Sequence, residues 1–377
     1  MRVNERLREL DFLRGIAILL VLLRHANLFS FTTHIGWIGV DLFFVLSGFL
    51  VSGLLFKEYL KFGNISPGRF LIRRGFKIYP VYFLFYPIYL VPLIASHELK
   101  VAPMLADLTF VQNYVNGWGY AYGPSWSLAV EEHFYIGIAL VFWFLMKKKL
   151  FNIKMEAMDA GVSRFEKIIF ILALTVLLLR LSSNVLMPHC GVKNFTMTHL
   201  RIDSLLGGVL IAYLYYFRTQ YFKDLFLKFK NYGLLISFLL IAVTVLGGNS
   251  DSLFVKTLGF SLLYISFSFF LAYVLLTENI NQQLNGIFSK HLVTIVSKIG
   301  LYSYSIYVIH TAVNNYIHTR KAELLISQFT NLIPVSQYYF VAILSLLLSI
   351  LAGMVMTKFV ENFFLNLRNR YFPARIA

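Results

Sequence analysis

An arginine and a histidine interrupt the first long apolar segment of the chain, and both side chains can take part in chemistry. Ten residues separate Arg14 from His25. At about 100° per residue this spacing puts both on nearly one helix face, about 16 Å apart along the axis. Arginine binds phosphate through paired hydrogen bonds, and neutral histidine serves as a general base or a nucleophile. The alternatives are an Arg14 that reaches the headgroups and a His25 that merely packs.

Two adjacent acids stand near the start of the fourth apolar segment. Ser127, Glu131 and Tyr135 follow i, i+4 and i+8 spacing and therefore share one helix face, and Glu132 is the second acid. Ionisable groups inside membrane spans are costly, so these acids are candidates for a functional site. Asp41, in the second apolar segment, can orient an imidazole, or it can be a charge favoured by the helix N-terminus.

Other polar groups recur in later apolar segments. Arg201 and Asp203 begin the sixth, and Tyr304 and His310 lie in the ninth. We expect these groups to support the site by pairing with the acids, and the sequence leaves the pairs open.

A basic cluster precedes the third apolar segment. Arg73, Arg74 and Lys77 recur at helical spacing before Pro80. They are either the basic residues expected on the cytoplasmic side of a span or a cradle for phosphate groups.

The elements that carry these side chains are membrane helices. The sequence has 377 residues, 58% hydrophobic and 14% charged, against roughly 45–50% and about 25% in soluble domains. The net charge of +16 comes from basic residues between apolar runs, which points to membrane topology and lipid contact rather than nucleic acid. We predict an all-α, polytopic protein with about ten transmembrane helices, over Asp11–Ser30, Trp37–Phe56, Ile78–Ala95, Ser127–Met146, Ile168–Leu186, Leu200–Phe217, Tyr232–Gly248, Thr257–Thr277, Val293–His318 and Tyr338–Phe359.

The distribution of basic residues predicts the orientation. With the N-terminus in the cytoplasm, about 25 of the 34 Lys and Arg residues fall on the cytoplasmic side and about five outside. Ten spans also return the C-terminus to the cytoplasm. The first span has no cleavage site after it, so we expect it to be retained. A single cysteine, Cys190, precludes a disulfide within one chain.

These residues together resemble the acyltransferase 3 family of membrane-bound acyltransferases over nearly the whole chain. Each motif alone is weak, but their order is specific. The motifs are Asp11-Phe-Leu-Arg14-Gly-Ile with His25, Gly39-Val-Asp-Leu-Phe-Phe-Val-Leu-Ser-Gly-Phe49, Arg73-Arg-Gly-Phe-Lys-Ile-Tyr-Pro80, Trp126-Ser-Leu-Ala-Val-Glu-Glu-His-Phe-Tyr135, Arg201-Ile-Asp-Ser-Leu205 and Tyr304-Ser-Ile-Tyr-Val-Ile-His310.

The resemblance implies an enzyme that moves an acyl group, expected to be acetyl, from cytoplasmic acyl-CoA to a hydroxyl of a cell-surface glycan, such as O-antigen, exopolysaccharide or a related lipid-linked sugar. Arg14, Arg73, Arg74 and Lys77 would hold the donor phosphates. His25, polarised by Asp41 or a glutamate, would act as a base or carry the acyl group. Glu131 would position His25, with Tyr135 and Ser127 in support; Glu132, Arg201, Asp203, Tyr304 and His310 would complete the polar site.

Two residues depart from the family pattern. Lys77 stands where arginine is usual, and His133 where glutamine is usual; lysine keeps the charge but loses the planar fork that binds phosphate. We expect one transmembrane domain over residues 1–377, without the extracytoplasmic esterase-like domain of some members. Acetyl-CoA would be a co-substrate, with no metal and no permanently bound cofactor.

The expected location is the bacterial cytoplasmic (inner) membrane, and the expected partners are acyl-CoA, the glycan acceptor and membrane lipids, with no nucleic acid. Two other classes are compatible with charges inside spans. One is a transporter or flippase for a glycan or lipid, although the sequence shows no repeats or broken paired helices. The other is a scaffold in a polysaccharide assembly complex.

Overall fold

The computed structural model describes residues 7–148, 162–317, 319 and 334–375, and within them it contains helices and no β-strand. In chain order the α-helices are α1 Arg8–Ala26, α2 Ser30–Ile35, α3 Ile38–Phe62, α4 Pro67–Ala95, α5 Val101–Leu108, α6 Gln112–Val115, α7 Ser125–Lys147, α8 Arg164–Leu186, α9 Gly191–Thr196, α10 Ile202–Phe217, α11 Thr219–Leu246, α12 Phe260–Leu276, α13 Ile280–Phe288, α14 Lys290–Leu301, α15 Ser303–Ile317, α16 Pro334–Met356 and α17 Asn362–Tyr371. Single π-helical turns, Val255–Gly259 and Thr357–Glu361, precede α12 and α17.

The prediction of an all-helical, multi-pass membrane protein is confirmed. Among the described residues, seven helices are long and apolar enough to cross a membrane, or eight if the bent pair α14 and α15 forms one span. Two predicted spans fall outside that set: α1 carries five charged residues, and α10 is only 16 residues long. A count of ten spans and cytoplasmic termini therefore stay predictions. His318, the predicted end of the ninth span, lies outside the described residues.

Helices with little burial carry the lipid-facing surface. Only 22% of the apolar window of α11 is buried, whereas 72% of the α3 window is buried. Large apolar side chains such as Leu235, Phe238 and Leu246 of α11 are exposed. Because such side chains would be unfavourable in water, they indicate contact with hydrocarbon.

The chain divides into two compact units. The first unit comprises Met1–Val40, Phe76–Leu99 and Asn279–Leu367, and the second comprises Asp41–Gly75, Lys100–Glu278 and Arg368–Ala377. Helices α3 and α4 each continue from one unit into the other.

In the first unit, glycines allow two helices to approach closely. A Cβ at Gly15 of α1 would overlap the Val296 carbonyl of α14, and a Cβ at Gly300 would overlap the Asp11 carbonyl. Small residues at helix crossings let backbones pack in this way within membranes. The crossing fixes the part of α1 that carries Arg14.

Glycines also allow α3 and α10 to approach closely in the second unit. A Cβ at Gly48 would overlap the Leu205 carbonyl, and a Cβ at Gly208 would overlap the Val45 carbonyl. Close approach of these backbones brings the beginning of α3 near the beginning of α10, where polar side chains meet.

A sharp break separates α14 from α15. The two helix axes bend by 80° at Tyr302. Ser303 is the first residue of α15 and is buried. The break therefore presents a hydroxyl group at the N-terminus of α15.

Candidate functional site

Arg14 lies in α1, where its guanidinium is held by a hydroxyl and a nearby acid. Its Nη2 donates to Ser303 Oγ at 3.0 Å, and its Nη1 lies 3.9 Å from Asp11 Oδ1. Ser303 is available for this contact because α15 begins there after the 80° bend. The arginine predicted to hold the donor is thus anchored at the break between α14 and α15.

His25 is near the end of the same uninterrupted helix, and its hydrogen bond determines its tautomer. The His25 Nδ1 is 2.8 Å from the Val21 carbonyl oxygen. A carbonyl only accepts hydrogen bonds, so Nδ1 must carry the proton and donate it. In the neutral ring, Nε2 then holds a lone pair, which is the group that a general base or a nucleophile requires.

His310 of α15 packs its ring against His25. The ring centroids are 4.8 Å apart and the rings meet edge to face at 73°. His310 Nδ1 donates to the Tyr307 carbonyl at 2.6 Å, so its Nε2 also holds a lone pair. That Nε2 is buried and has no hydrogen-bond partner among the described residues. Asn314 ties the two helices together by donating to the His25 carbonyl at 3.1 Å.

Lys77, predicted to bind the donor, forms an ion pair with Glu361 in the first unit. Glu361 is buried and ends the π-helical turn before α17. Ser305 Oγ donates to Glu361 Oε2 at 2.7 Å, and Thr357 Oγ1 does so at 3.3 Å. Tyr304 lies beside this ion pair. The Lys77 ammonium is 5.9 Å from the centroid of the Tyr304 ring, and the Tyr304 hydroxyl donates to the Ile78 carbonyl.

Glu361 is a polar site residue that the sequence predictions missed. An acid that follows directly on an apolar run, two residues beyond the predicted end of the tenth span, was the available signal. Nothing in the local sequence relates it to Lys77, which is 284 residues away.

In the second unit, Asp41 pairs with Arg201. The Arg201 Nη2 donates to Asp41 Oδ1 at 2.7 Å, both side chains are fully buried, and Ser204 Oγ donates to the same oxygen at 3.3 Å. The guanidinium carbon lies 3.4 Å from the ring centroid of Phe260 and 5.0 Å from that of Phe195. The aromatic faces add cation–π stabilisation to a pair that has lost its water.

Asp203 forms the second buried ion pair, with Arg180 of α8. The Arg180 Nη2 is 2.7 Å from Asp203 Oδ2, and its Nη1 donates to Asp203 Oδ1 at 3.1 Å. Ser261 Oγ accepts from Arg180 Nη2 at 2.6 Å. Arg180 is the second residue that the predictions missed, although a lone arginine inside an apolar span was a usable signal.

Glu131 of α7 accepts the last hydrogen bond in a chain of side chains in the second unit. Tyr135 donates its hydroxyl proton to Glu131 Oε2 at 2.9 Å, and Ser47 Oγ lies 2.6 Å from the Tyr135 oxygen, so Ser47 donates to tyrosine. Arg74 stacks over the Tyr135 ring, with 5.6 Å between the guanidinium carbon and the centroid. The arrangement joins a residue predicted to bind the donor to two predicted to serve in chemistry.

The remaining predicted residues of the second unit have individual contacts. Ser127 Oγ donates to the Pro124 carbonyl at 3.1 Å, at the start of α7. Glu132 is buried. Arg73 donates to the Phe372 carbonyl and, at 3.4 Å, to Asn369 Oδ1. His133 Nδ1 lies 2.7 Å from Thr198 Oγ1.

The described residues contain no group of three or more His, Cys, Asp and Glu side chains arranged to hold a metal ion. The first unit holds the imidazoles of His25 and His310 with their lone pairs, and each unit holds its own carboxylates and guanidinium groups. Imidazoles and carboxylates suit proton transfer, and guanidinium groups suit the binding of anionic groups.

Comparison with known proteins relates the chain to acyltransferases. The profile of the acyltransferase 3 family, described as an acyltransferase domain, matches residues 7–354. A Staphylococcus aureus (strain MRSA252) protein provisionally named O-acetyltransferase is 28% identical over 390 residues, which cover 97% of this chain and 59% of that protein. The chain thus spans about three fifths of the length of this relative.

Two further relatives match a shorter part of the chain. The peptidoglycan O-acetyltransferase OatA of Listeria monocytogenes serovar 1/2a is 30% identical over 143 residues, which cover 34% of this chain and 23% of that protein. The O-acetyltransferase OatA of Staphylococcus aureus (strain NCTC 8325 / PS 47) is 34% identical over 154 residues, which cover 37% of this chain and 25% of that protein. No solved structure matches at a significant level.

Proposed function

Because this chain belongs to the acyltransferase 3 family, we propose that it is a membrane O-acyltransferase that moves an acetyl group from acetyl-CoA to a hydroxyl of a cell-surface glycan. The names of the relatives support acetyl as the group and a glycan, such as peptidoglycan, as the acceptor class. A multi-pass helical protein with this activity would work in the bacterial cytoplasmic membrane, between a cytoplasmic donor and an external acceptor.

One observation carries the proposal: the tautomer of His25. Its Nδ1 donates to the carbonyl of its own helix, so its Nε2 offers a lone pair. A positioned imidazole of this kind typically contributes about 10²–10⁴-fold to a reaction that removes a proton from a hydroxyl. His310 adds a second imidazole in edge-to-face contact with that of His25.

The proposed reaction moves acetyl from sulfur to oxygen, with His25 as the general base. His25 Nε2 takes the proton of the sugar hydroxyl while the hydroxyl oxygen attacks the thioester carbonyl carbon. The carbon–sulfur bond breaks, and the thiolate of CoA leaves with the electron pair of that bond. The imidazolium then returns the proton to the thiolate, which releases CoA-SH and the O-acetyl glycan. In the alternative order, Nε2 attacks the thioester first, and the CoA thiolate leaves with the electron pair of the carbon–sulfur bond. The sugar oxygen then takes the acetyl group from Nε2, and the hydroxyl proton goes to the thiolate.

Basic residues are proposed to bind the phosphates of the donor. Arg14, anchored by Ser303, and Arg74, stacked on Tyr135, keep their guanidinium groups in defined positions. Defined positions suit the paired hydrogen bonds that arginine makes with phosphate. Lys77 is already neutralised by Glu361, so its proposed contribution to donor binding is the smallest of the set.

The supporting acids have different proposed roles. Asp41 engages Arg201 and Ser204 through one carboxylate oxygen, which favours a part in stabilising α3 against α10. The Ser47–Tyr135–Glu131 chain keeps Glu131 in a fixed orientation. We therefore propose that Glu131, rather than Asp41, is the acid that takes part in the reaction.

The test is CoA release by purified protein in lipid vesicles. With acetyl-CoA and envelope glycan from which ester groups have been removed by mild base, the wild-type protein should release free thiol and transfer labelled acetyl to the glycan. The His25→Ala variant should insert normally and transfer nothing. Full transfer by this variant would overturn the assignment of His25, and no transfer by the wild type would overturn the proposed function. A quenched single turnover separates the two orders of reaction, because only the second leaves acetyl on the protein.

A second candidate, a transporter for a glycan or lipid, is favoured by the 80° break between α14 and α15. Discontinuous helices with exposed N-termini are typical of secondary transporters. A transporter would move its substrate across the vesicle membrane without consuming acetyl-CoA, so the same vesicles distinguish the two functions.

A further inference from the structure

We propose that Tyr114, Trp118 and His199 form a sugar-binding platform, which holds the acceptor glycan. This inference rests on the proposed function and names the surface that would receive its acceptor. All three residues belong to the second unit. Under the predicted orientation, they lie on the outer side of the membrane, in and opposite the long loop between α4 and α7.

Tyr114 and His199 form a stacked pair at the surface. Their ring centroids are 5.7 Å apart and the rings are inclined by 17°. The His199 amide donates to the Tyr114 oxygen at 3.4 Å, and the Tyr114 hydroxyl lies 3.1 Å from His199 Nδ1. The tyrosine hydroxyl can therefore give its proton to Nδ1, which leaves Nε2–H of His199 as a donor at an exposed position.

The charge state of His199 suits a neutral ligand. Partial burial lowers the pKa of His199, so the imidazole is neutral at pH 7. A neutral ring can stack and donate a hydrogen bond without attracting a counterion. Sugar hydroxyls need such donors and acceptors, and the C–H faces of a sugar ring need flat apolar surfaces such as Tyr and Trp rings.

Trp118 is a further exposed aromatic ring, and neighbouring rings hold it in place. It is 41% exposed, compared with 37% for Tyr114. Its ring meets Trp126 edge to face at 5.9 Å and packs on Phe195 at 5.6 Å. Trp126 and Phe195 in turn surround the buried Arg201 guanidinium. The indole of Trp118 thus packs on the aromatic cluster around Arg201.

A buried polar network holds the loop that carries these rings. Asp107 accepts from the amides of Tyr120 and Ala121 at 2.8 and 3.0 Å. Gln112 donates to the Ser125 carbonyl at 2.9 Å, and Asn113 donates to Thr198 Oγ1 at 2.8 Å. Asp107, Gln112 and Asn113 are fully buried.

Buried polar side chains are costly unless they are bonded, and a bonded network imposes one conformation. A loop that only filled space would not need this network. Long loops are usually functional or disordered, and loops positioned by a rigid scaffold often carry binding residues. The competing explanation, that the rings sit at the membrane–water boundary as interfacial anchors, gives a different experimental outcome.

The experiment compares Trp118→Ala and Tyr114→Phe with the wild type in vesicles, using the base-treated envelope glycan as the acceptor. The matched control is Tyr232→Ala, which removes an exposed ring from α11 in the same unit. We expect Trp118→Ala to raise the acceptor KM roughly tenfold, the loss of about 1.4 kcal/mol of binding. Tyr114→Phe keeps the stacked ring and loses the hydroxyl, so a smaller rise is expected. The KM for acetyl-CoA should not change in any of the variants.

Several outcomes would overturn the inference. An acceptor KM unchanged in Trp118→Ala, or raised equally in Tyr232→Ala, would exclude a specific platform. A loss of vesicle insertion without an acceptor effect would identify the rings as interfacial anchors. If the wild type transfers acetyl to glycan but the variants behave as wild type, only this inference fails; if the wild type transfers none, the proposed function itself fails.

Discussion

The imidazole rings of His25 and His310 meet edge to face, with centroids 4.8 Å apart, and each ring donates its Nδ1 proton to a carbonyl of its own helix. Both rings therefore turn an unprotonated Nε2 away from the helix backbone that fixes them. The Nε2 of His310 is buried and has no hydrogen-bond partner among the described residues, and an unbonded buried polar atom is costly. This pair is the strongest structural argument that α1 and α15 together carry chemistry.

The first prediction concerns His310. Replacing His310 by phenylalanine keeps a flat ring against His25 but removes Nε2. If this lone pair stabilises the protonated His25 during the reaction, kcat should fall roughly tenfold to a hundredfold with little change in either KM. Asn314→Ala, which removes the neighbouring bond to the His25 carbonyl, serves as the control for mere loosening of the contact. Equal kcat values for His310→Phe and the wild type would contradict the role.

A second prediction tests the hydrogen-bond chain of α7. Tyr135→Phe removes the hydroxyl that donates to Glu131 and accepts from Ser47. Glu131 then loses one of the groups that orient it, and we expect kcat to fall by about tenfold or more. The measurement is acetyl transfer to glycan at saturating acetyl-CoA. Tyr232→Phe, altered at an exposed ring of α11, should be as active as the wild type.

The buried pair of Asp41 and Arg201 should matter mainly for stability. Removing one partner leaves the other charge buried and unpaired, which costs about 3–5 kcal/mol. Arg201→Met alone should therefore lower the midpoint of thermal unfolding in detergent markedly. The double variant Asp41→Leu with Arg201→Met should recover much of the loss, because it removes both charges. If the double variant were as unstable as the single one, the pair would not be the cause.

A fourth prediction separates stability from donor binding at Lys77. Lys77→Met leaves Glu361 buried without its cation and should lower the thermal midpoint. Adding Glu361→Gln should restore it, because the amide can still accept from Ser305. If Lys77 also contacts donor phosphate, the KM for acetyl-CoA should stay raised in the double variant. A KM that returns to the wild-type value together with stability would limit Lys77 to a structural role.

Part of the candidate site follows from local sequence. The i, i+4 spacing of Glu131 and Tyr135 predicts that they share a face, and they do form a hydrogen bond. Arg14 and His25 likewise lie on nearly one face, as their spacing predicts, because α1 runs unbroken through both. Regular helical geometry makes such relationships predictable from residue numbers alone. The apolar runs predict helices for the same reason, since in lipid the backbone must bond to itself.

Relationships between distant segments were not predictable in this way. Asp41 meets Arg201 across 160 residues of sequence, and Lys77 meets Glu361 across 284. Several acids and bases in the spans could have exchanged partners with equal charge balance. Which pairs form depends on how whole helices cross, as at Gly48, where α3 and α10 approach closely and Asp41 and Arg201 meet.

The sequence by itself therefore determined that this is an all-helical membrane protein, which residues carry charge inside its spans, and which family it resembles. Only the tertiary structure decided that His310 is the neighbour of His25, that Arg180 and Glu361 complete buried ion pairs, and that α14 and α15 break at Tyr302. The physical reason is the distance along the sequence over which each interaction acts. Hydrophobicity and helical period act between residues close in sequence, whereas partners for buried charges are chosen by the packing of whole helices.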